Sequence, residues 1–282
     1  TTKKSGFVAV LLPSLNNLHF ALTVQSLTET LEPEGLQLLL GHTGYSPERE
    51  EQLVETMLRR RPEAVVLSYD GHTDRTIDLL HDAAIPVVEI WETPKTPIEH
   101  TVGFSNEQAA YDMTAALIAR GFRRILFLGE EADDWTRGAA RRDGFRRAMT
   151  AAGMDAGAEL RHGTPPLSIE NGAAAADFIL ERFPDADCVF CVSDMAAFGV
   201  QSRMIARGVA VPEQISLVGF GDFEVSRFSS PTISTVLVDP VAIGRAAGGL
   251  IAQLLRQDDD APDAPQHVTI APRLAFRESC RL

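Results

Sequence analysis

The sequence predicts an α/β protein made of two doubly wound, parallel-sheet lobes. Three observations predict it. Short apolar runs rich in β-branched residues alternate with longer segments of helical period. The runs are almost continuously apolar, so helices must cover both sheet faces, the usual setting of parallel strands. The chain also offers more strands than the five or six or so of one ordinary sheet, and its 282 residues make two domains at about 150 residues each.

In order, the first strand is 8–12, stopped by Pro13, and helix 20–31 follows. Strand 36–41 leads to helix 47–60, which opens on Pro47, where a first turn tolerates proline. Strand 64–67, helix 74–83 and strand 87–91 complete the first lobe, which ends near Phe104. The second lobe starts near Asn106 with helix 107–119, then strand 124–128, helix 138–151, helix 171–182, strand 188–192, helix 195–207 and strand 216–219. Gly121, Gly153 and Gly208 each follow a helical run closely, as C-terminal caps do. A last helix, 241–256, precedes the polar turn Asp258-Asp259-Asp260-Ala261-Pro262, and extended pieces lie at 268–270 and 274–277. The expected lobes are therefore 5–104 with 240–257, and 106–236 with 267–282. Crossovers are expected near 104–106, 236–239 and 256–266.

Composition narrows the function classes. Hydrophobic residues are 45% and charged residues 23%, ordinary for a globular domain and unlike a disordered chain. No apolar run approaches the ~18 residues of a membrane span, so no membrane partner is expected. The apolar run near the start is too short for a secretory signal. Three cysteines suit a reducing cytoplasm better than a disulfide framework. Net charge is 26 − 39 = −13, which repels phosphate backbones, so these residues are not expected to bind nucleic acid by themselves.

Catalytic signatures are missing. Cys188 and Cys191 have redox-like spacing, but on a strand positions i and i+3 point to opposite faces, which favours buried structural thiols. Gly219-Phe-Gly221-Asp222 lacks the third glycine of a dinucleotide turn. Gly103-Phe-Ser105-Asn-Glu107 fails the nucleophile-elbow pattern at its last position. The seven histidines show no metal-ligand spacing. No enzyme, cofactor or metal site is expected.

Other residues point to ligand binding. Trp135-Thr-Arg137-Gly-Ala-Ala-Arg141 follows strand 124–128, so it lies at the carboxyl edge of a parallel sheet, where such folds bind ligands. Arg137 and Arg141 share a helix face. A cation at a helix start is unfavourable, and a docked anion relieves it. Asp133 and Asp134 offer the opposite reading, as caps or ion-pair partners of the arginines. Glu89 interrupts an apolar strand and needs either a structural partner or a ligand. Trp91, at that strand's end, is either a stacking surface for a sugar ring or lobe packing. Asp194 is expected to cap the next helix, with Ser193 at the same sheet edge as the arginines.

Together these pieces resemble the effector-binding core of the LacI/GalR family of bacterial transcription regulators. The resemblance runs through residues 8–20, Val102-Gly-Phe-Ser-Asn-Glu, residues 118–129, Arg141-Arg-Asp-Gly-Phe145, Val192-Ser-Asp-Met-Ala-Ala-Phe-Gly199, residues 215–220, Pro231-Thr-Ile-Ser-Thr-Val236 and Phe276-Arg-Glu-Ser-Cys280, in order. It implies a type I periplasmic-binding-protein-like fold with a hinge and an interlobe cleft. It places Arg141, Arg137, Phe20 and Ser193 on positions that line the effector site. With Trp91, Trp135 and Asp222 they make the expected ligand-binding set. The family usually has two aspartates where this chain has Gly221-Asp222, and an aspartate where it has Trp91. Both changes remove negative charge and favour a sugar acid over a neutral sugar. Val-Val-Glu-Ile-Trp followed by Val-Gly-Phe-Ser-Asn resembles the gluconate-repressor branch. The resemblance further implies a cytoplasmic homodimeric regulator, in all expectation a repressor. It would touch operator DNA only through a helix-turn-helix headpiece, which is absent from these residues and would carry the phosphate contacts. The alternative from another class is a periplasmic sugar-binding protein that feeds an ABC transporter.

Overall fold

The computed structural model describes residues 5–68, 71–132, 136–155, 158–256 and 264–281. The described residues form two compact units, those within 5–105 and 239–271, and those within 106–238 and 272–281.

The first unit contains β1 (Phe7–Leu12), α1 (Leu18–Leu31), β2 (Gln37–His42), α2 (Pro47–Leu58), β3 (Ala64–Ser68), α3 (Asp74–Ala83), β4 (Val87–Ile90) and β5 (His100–Gly103). The second contains α4 (Asn106–Ala119), β6 (Ile125–Gly129), α5 (Arg137–Ala151), β7 (Glu159–Arg161), α6 (Ile169–Arg182), β8 (Cys188–Cys191), α7 (Asp194–Ala206), β9 (Ser216–Gly221), α8 (Glu224–Phe228) and β10 (Ser234–Leu237). The chain then returns to the first unit for α9 (Pro240–Leu254) and β11 (His267–Thr269), and ends in the second with β12 (Arg273–Ala275).

Each unit holds a six-stranded sheet. The orders are β11-β5-β4-β3-β1-β2 and β12-β10-β9-β8-β6-β7. All pairings in the first sheet are parallel; in the second only β10–β12 is antiparallel. Strands β1, β3, β6, β8 and β9 are buried almost throughout, as helices on both faces require. Below the first sheet, Ala9, Leu11, Val65, Leu67 and Val87 pack on Val54 and Met57 of α2 and Leu80 of α3.

Helix starts follow local chemistry. Ser46, Thr73, Thr136, Ser168, Ser193 and Asp239 cap α2, α3, α5, α6, α7 and α9 by accepting a first-turn N–H. Ser193, not Asp194, therefore caps α7. Gly121, Gly153 and Gly208 adopt φ of 96°, 68° and 78° just past helices, as expected of caps.

One boundary moves. Residues 267–269 were expected in the second lobe, but β11 pairs in parallel with β5, with His267 opposite Thr101. The last crossing between units therefore falls at 271/272 rather than within 256–266. The reason is non-local: the edge of the first sheet is completed by strand residues more than 160 positions downstream. Strands β5, β7 and β10 also went unforeseen.

Candidate functional site

In the second unit, the expected ligand residues gather at the carboxyl ends of β6, β8 and β9. Arg141 reaches out of the second turn of α5 and is held on three sides. Its Nε donates to Asn106 Oδ1 at 2.9 Å, and its Nη1 donates to the Val192 carbonyl at 2.7 Å. Its guanidinium lies over the Phe220 ring, 3.7 Å from the centroid. Asn106 is fully buried at the start of α4, so the clamp is anchored in the core. A guanidinium held by an amide, a carbonyl and a ring face is pre-organised, and its planar fork suits a carboxylate.

Arg137 is buried at the first position of α5, and Arg142 is buried one residue beyond Arg141. Arg142 Nε lies 3.8 Å from Asp143. The cluster has an acidic neighbour that sequence reasoning missed. Glu130 follows β6 directly, and its carboxylate packs against the first turn of α5. A Cβ added to Gly138 would fall 1.9 Å from Glu130 Oε2 and 2.8 Å from its Cδ, so glycine makes room for the carboxylate there. Burial pushes the Glu130 carboxyl above its ordinary value, and the charges of Arg141, Arg137 and Arg142 pull against that shift. The aspartates expected as counter-charges, Asp133 and Asp134, lie outside the described residues, as does Trp135.

Two further expected residues have structural partners. Ser193 Oγ accepts the Ala196 N–H as the cap of α7. Asp222 takes a φ of 59°, in the left-handed region, and its Oδ1 accepts from Arg277 Nη2 at 2.5 Å and from Ser226 Oγ at 3.3 Å. Asp194, beside it, is fully buried and accepts from Thr235 Oγ1 at 2.6 Å and from the Phe223 N–H at 2.8 Å. Its carboxyl is pushed up to about 6, chiefly by burial.

The first unit has its own cluster at the end of β4. Trp91 adopts φ of 74°, a conformation that costs a non-glycine residue on the order of 1–3 kcal/mol. Its N–H donates to the Val102 carbonyl at 3.1 Å. His19 stacks on the indole at 5.8 Å, while Phe20 and Phe104 meet it edge-on at 5.7 and 6.4 Å. Phe20 and Trp91 are thus brought together, with His19 as an aromatic neighbour that sequence reading overlooked.

Glu89 has a structural partner. His72 Nδ1 lies 2.5 Å from Glu50 and Nε2 lies 3.3 Å from Glu89, and all three side chains are buried. The Ile98 N–H also donates to Glu89, at 2.6 Å. Burial alone would lower the His72 pKa, but the hydrogen bonds and charges of the two carboxylates raise it to about 9.

No group of His, Cys, Asp and Glu that could hold a metal ion occurs among the described residues. Cys188, Cys191 and Cys280 are buried free thiols. Burial pushes Cys188 and Cys191 well up and Cys280 to about 11, so all are poor nucleophiles. No described helix is long and apolar enough to cross a membrane.

Comparisons with known proteins agree with this architecture. The family described as periplasmic binding protein-like domain matches residues 114–280. The HTH-type transcriptional regulator GntR of Pseudomonas aeruginosa is 35% identical over 254 residues, spanning 89% of this chain and 73% of that protein. A crystal structure of a LacI family transcriptional regulator from Silicibacter pomeroyi is 69% identical, with a TM-score of 0.93 over 98% of this chain and 99% of that one. The crystal structure of transcription regulator GntR from Chromobacterium violaceum is 34% identical, with a TM-score of 0.87 over 97% and 98% of the two chains. These relatives are regulators, which disfavours the transport-protein alternative. The matching family and these relatives establish that the chain is the effector-binding core of a LacI/GalR-family transcriptional regulator, of the GntR-like branch.

Proposed function

We propose that this core senses a small sugar acid of the gluconate class and that the whole regulator is a homodimeric repressor. Operator contacts would belong to a helix-turn-helix segment outside these residues, since the present chain carries −13. The observation that carries the reading is Arg141, pinned by Asn106, Val192 and Phe220 at the sheet's carboxyl edge with Arg137 beside it. Such a fork offers parallel charge-assisted hydrogen bonds to a carboxylate. A neutral sugar offers no carboxylate for that charge-assisted pair and makes only weaker, neutral hydrogen bonds. Trp91, Phe20, Trp135, Ser193 and Asp222 are the remaining proposed ligand-binding residues. Trp91 and Phe20 offer ring faces for apolar C–H groups. Ser193 and Asp222 act through the backbone turns they hold.

No bond in the effector has to be made or broken, and the reading includes no enzyme activity. The effector shifts the regulator between DNA-binding states only by its differential affinity for them, typically about 1–3 kcal/mol.

A thermal-shift panel of neutral sugars, aldonates and their phosphates tests the substrate class. An effector at a hundredfold excess over its Kd adds about 2.7 kcal/mol of stability. Gluconate is expected to shift the transition and glucose is not. The Arg141→Ala variant should fold and lose the response. A shift with glucose equal to that with gluconate, or an unchanged gluconate affinity in Arg141→Ala, overturns the reading.

A further inference from the structure

Ser193 caps α7 in place of the expected Asp194, yet the Asp194 side chain is fully buried at the first position of that helix. A buried carboxylate is costly unless it holds partners. Its partners lie across the sheet, on β10 and just past β9. Oδ1 accepts from Thr235 Oγ1 at 2.6 Å, and Oδ2 accepts the Phe223 N–H at 2.8 Å. Gly219 lies opposite Thr235 in the register of β9 and β10, and a Cβ there would collide with Asp194 Oδ1. Strand β9 therefore leaves out a side chain where this carboxylate enters.

These bonds join the two segments that hold Arg141. The Val192 carbonyl, which accepts from Arg141 Nη1, stands two residues before Asp194. The Phe220 ring, over which the guanidinium lies, directly follows Gly219 and stands three residues before Phe223. Strands β8 and β9 are paired from Cys188 opposite Ser216 to Phe190 opposite Val218. Both holders of Arg141 lie beyond that last pair, where Asp194 spans from one segment to the other. The placing of carbonyl and ring decides how the guanidinium plane is turned. A planar fork takes a carboxylate by two parallel bonds only when it is turned correctly.

We propose that Asp194 is a positioning residue for effector recognition, whose buried carboxylate fixes the Val192 carbonyl and the Phe220 ring relative to each other and so aims the Arg141 fork. The inference rests on the sugar-acid reading and adds a specificity-determining residue to that same site. Asp194 acts through Arg141 and not by touching the effector, since none of its surface is exposed. Thr235 is its partner in this role. Its hydroxyl also accepts the Asp222 N–H at 3.4 Å, so one side chain of β10 steadies both the carboxylate and the turn after β9.

The test is calorimetric titration of gluconate into the full chain, with the folding of every variant checked by urea unfolding. The variants are Asp194→Asn, Thr235→Val, Thr235→Ser, Arg141→Lys and the double variant Asp194→Asn/Arg141→Lys. Asparagine keeps the shape and the acceptor for Thr235, but it turns an N–H donor toward the Phe223 N–H. Asp194→Asn and Thr235→Val should fold and should each weaken gluconate binding about tenfold or more. Thr235→Ser keeps the hydroxyl and should restore the affinity. Lysine is a point charge with no fork to aim, so Asp194→Asn should cost little further affinity on the Arg141→Lys background. Equal losses on the arginine and lysine backgrounds overturn the inference, because they make Asp194 a general stabiliser of the unit. Unchanged gluconate affinity in both Asp194→Asn and Thr235→Val overturns it as well and leaves the sugar-acid reading standing. Failure of both variants to fold also overturns it, because it assigns the pair to the fold rather than to the aim of Arg141. A wild type that does not bind gluconate overturns both readings.

Discussion

The His72 triad makes the pH dependence of stability calculable. His72 is doubly protonated between Glu50 and Glu89, and its pKa rises from 6.5 to about 9. A raised histidine pKa stabilises the fold fully below the unfolded value of 6.5, and the gain disappears as pH rises through 9. A shift of about 2.5 units corresponds to about 3 kcal/mol. Most of that remains at pH 7, and almost none remains at pH 10. The structural consequence lies at the amino ends of α2 and α3. Glu50 sits in the first turn of α2, and Thr73, the cap of α3, also donates to Glu51 at 2.7 Å. Loss of the imidazolium leaves two buried carboxylates facing each other without a cation. Urea unfolding at pH steps from 7 to 10 measures the loss, and imidazole resonances of histidine-labelled protein follow His72 itself. A first-unit stability that is flat over this range, or a His72 resonance titrating near 6.5, would refute the reasoning.

Three further predictions concern packing and the clamp. Asn106→Ala removes the acceptor for Arg141 Nε and should weaken gluconate binding by about 0.5–1.5 kcal/mol, read by calorimetry, with the fold retained. Gly144→Ala places a methyl 2.0 Å from the Glu107 carbonyl oxygen, which is backbone of the neighbouring helix and cannot swing away. The helix pair must spread, at a cost of about 1–3 kcal/mol in chemical denaturation. Arg277→Ala removes the cation that Asp222 and Ser226 face and should lower the second unit's stability by about 3–5 kcal/mol; an unchanged denaturation midpoint would count against that role.

The alternation of apolar runs and helical periods was legible because both signals are local. What escaped depends on distant partners. The strands β5 and β10 carry His100, Thr101, Ser234 and Thr235, polar residues that break an apolar run. Those groups are satisfied by Gln266, His267, Arg277 and Asp194, between 41 and 166 positions away. The edge strand β7 has only three residues. In the candidate site, Ser193 could be placed because it follows β8 closely, and Arg141 because it lies on the helix that comes after β6. Asn106, Phe220 and Glu130 could not, because each acquires its role only when helix starts and strand ends meet. Glu130 left one trace, an acidic residue ending the buried run of β6. The partner of Glu89 was foreseeable in kind but not in identity, since nothing local links it to His72.

The path of the chain has a consequence for how this protein is made. Helix α1 leaves the ribosome early, yet Thr23 and Ser26 donate to the carbonyls of Pro240 and Val241 at the start of α9. At about 5–20 residues per second, translation delivers that helix some 10–40 s after α1. For that interval the nascent first unit exposes the face α9 will cover, while most of the second unit's strands have already been synthesised. Neither half is a contiguous stretch of gene, so a single stop codon cannot release an intact one. A frameshift near residue 240 would strip both sheets of an edge strand at once.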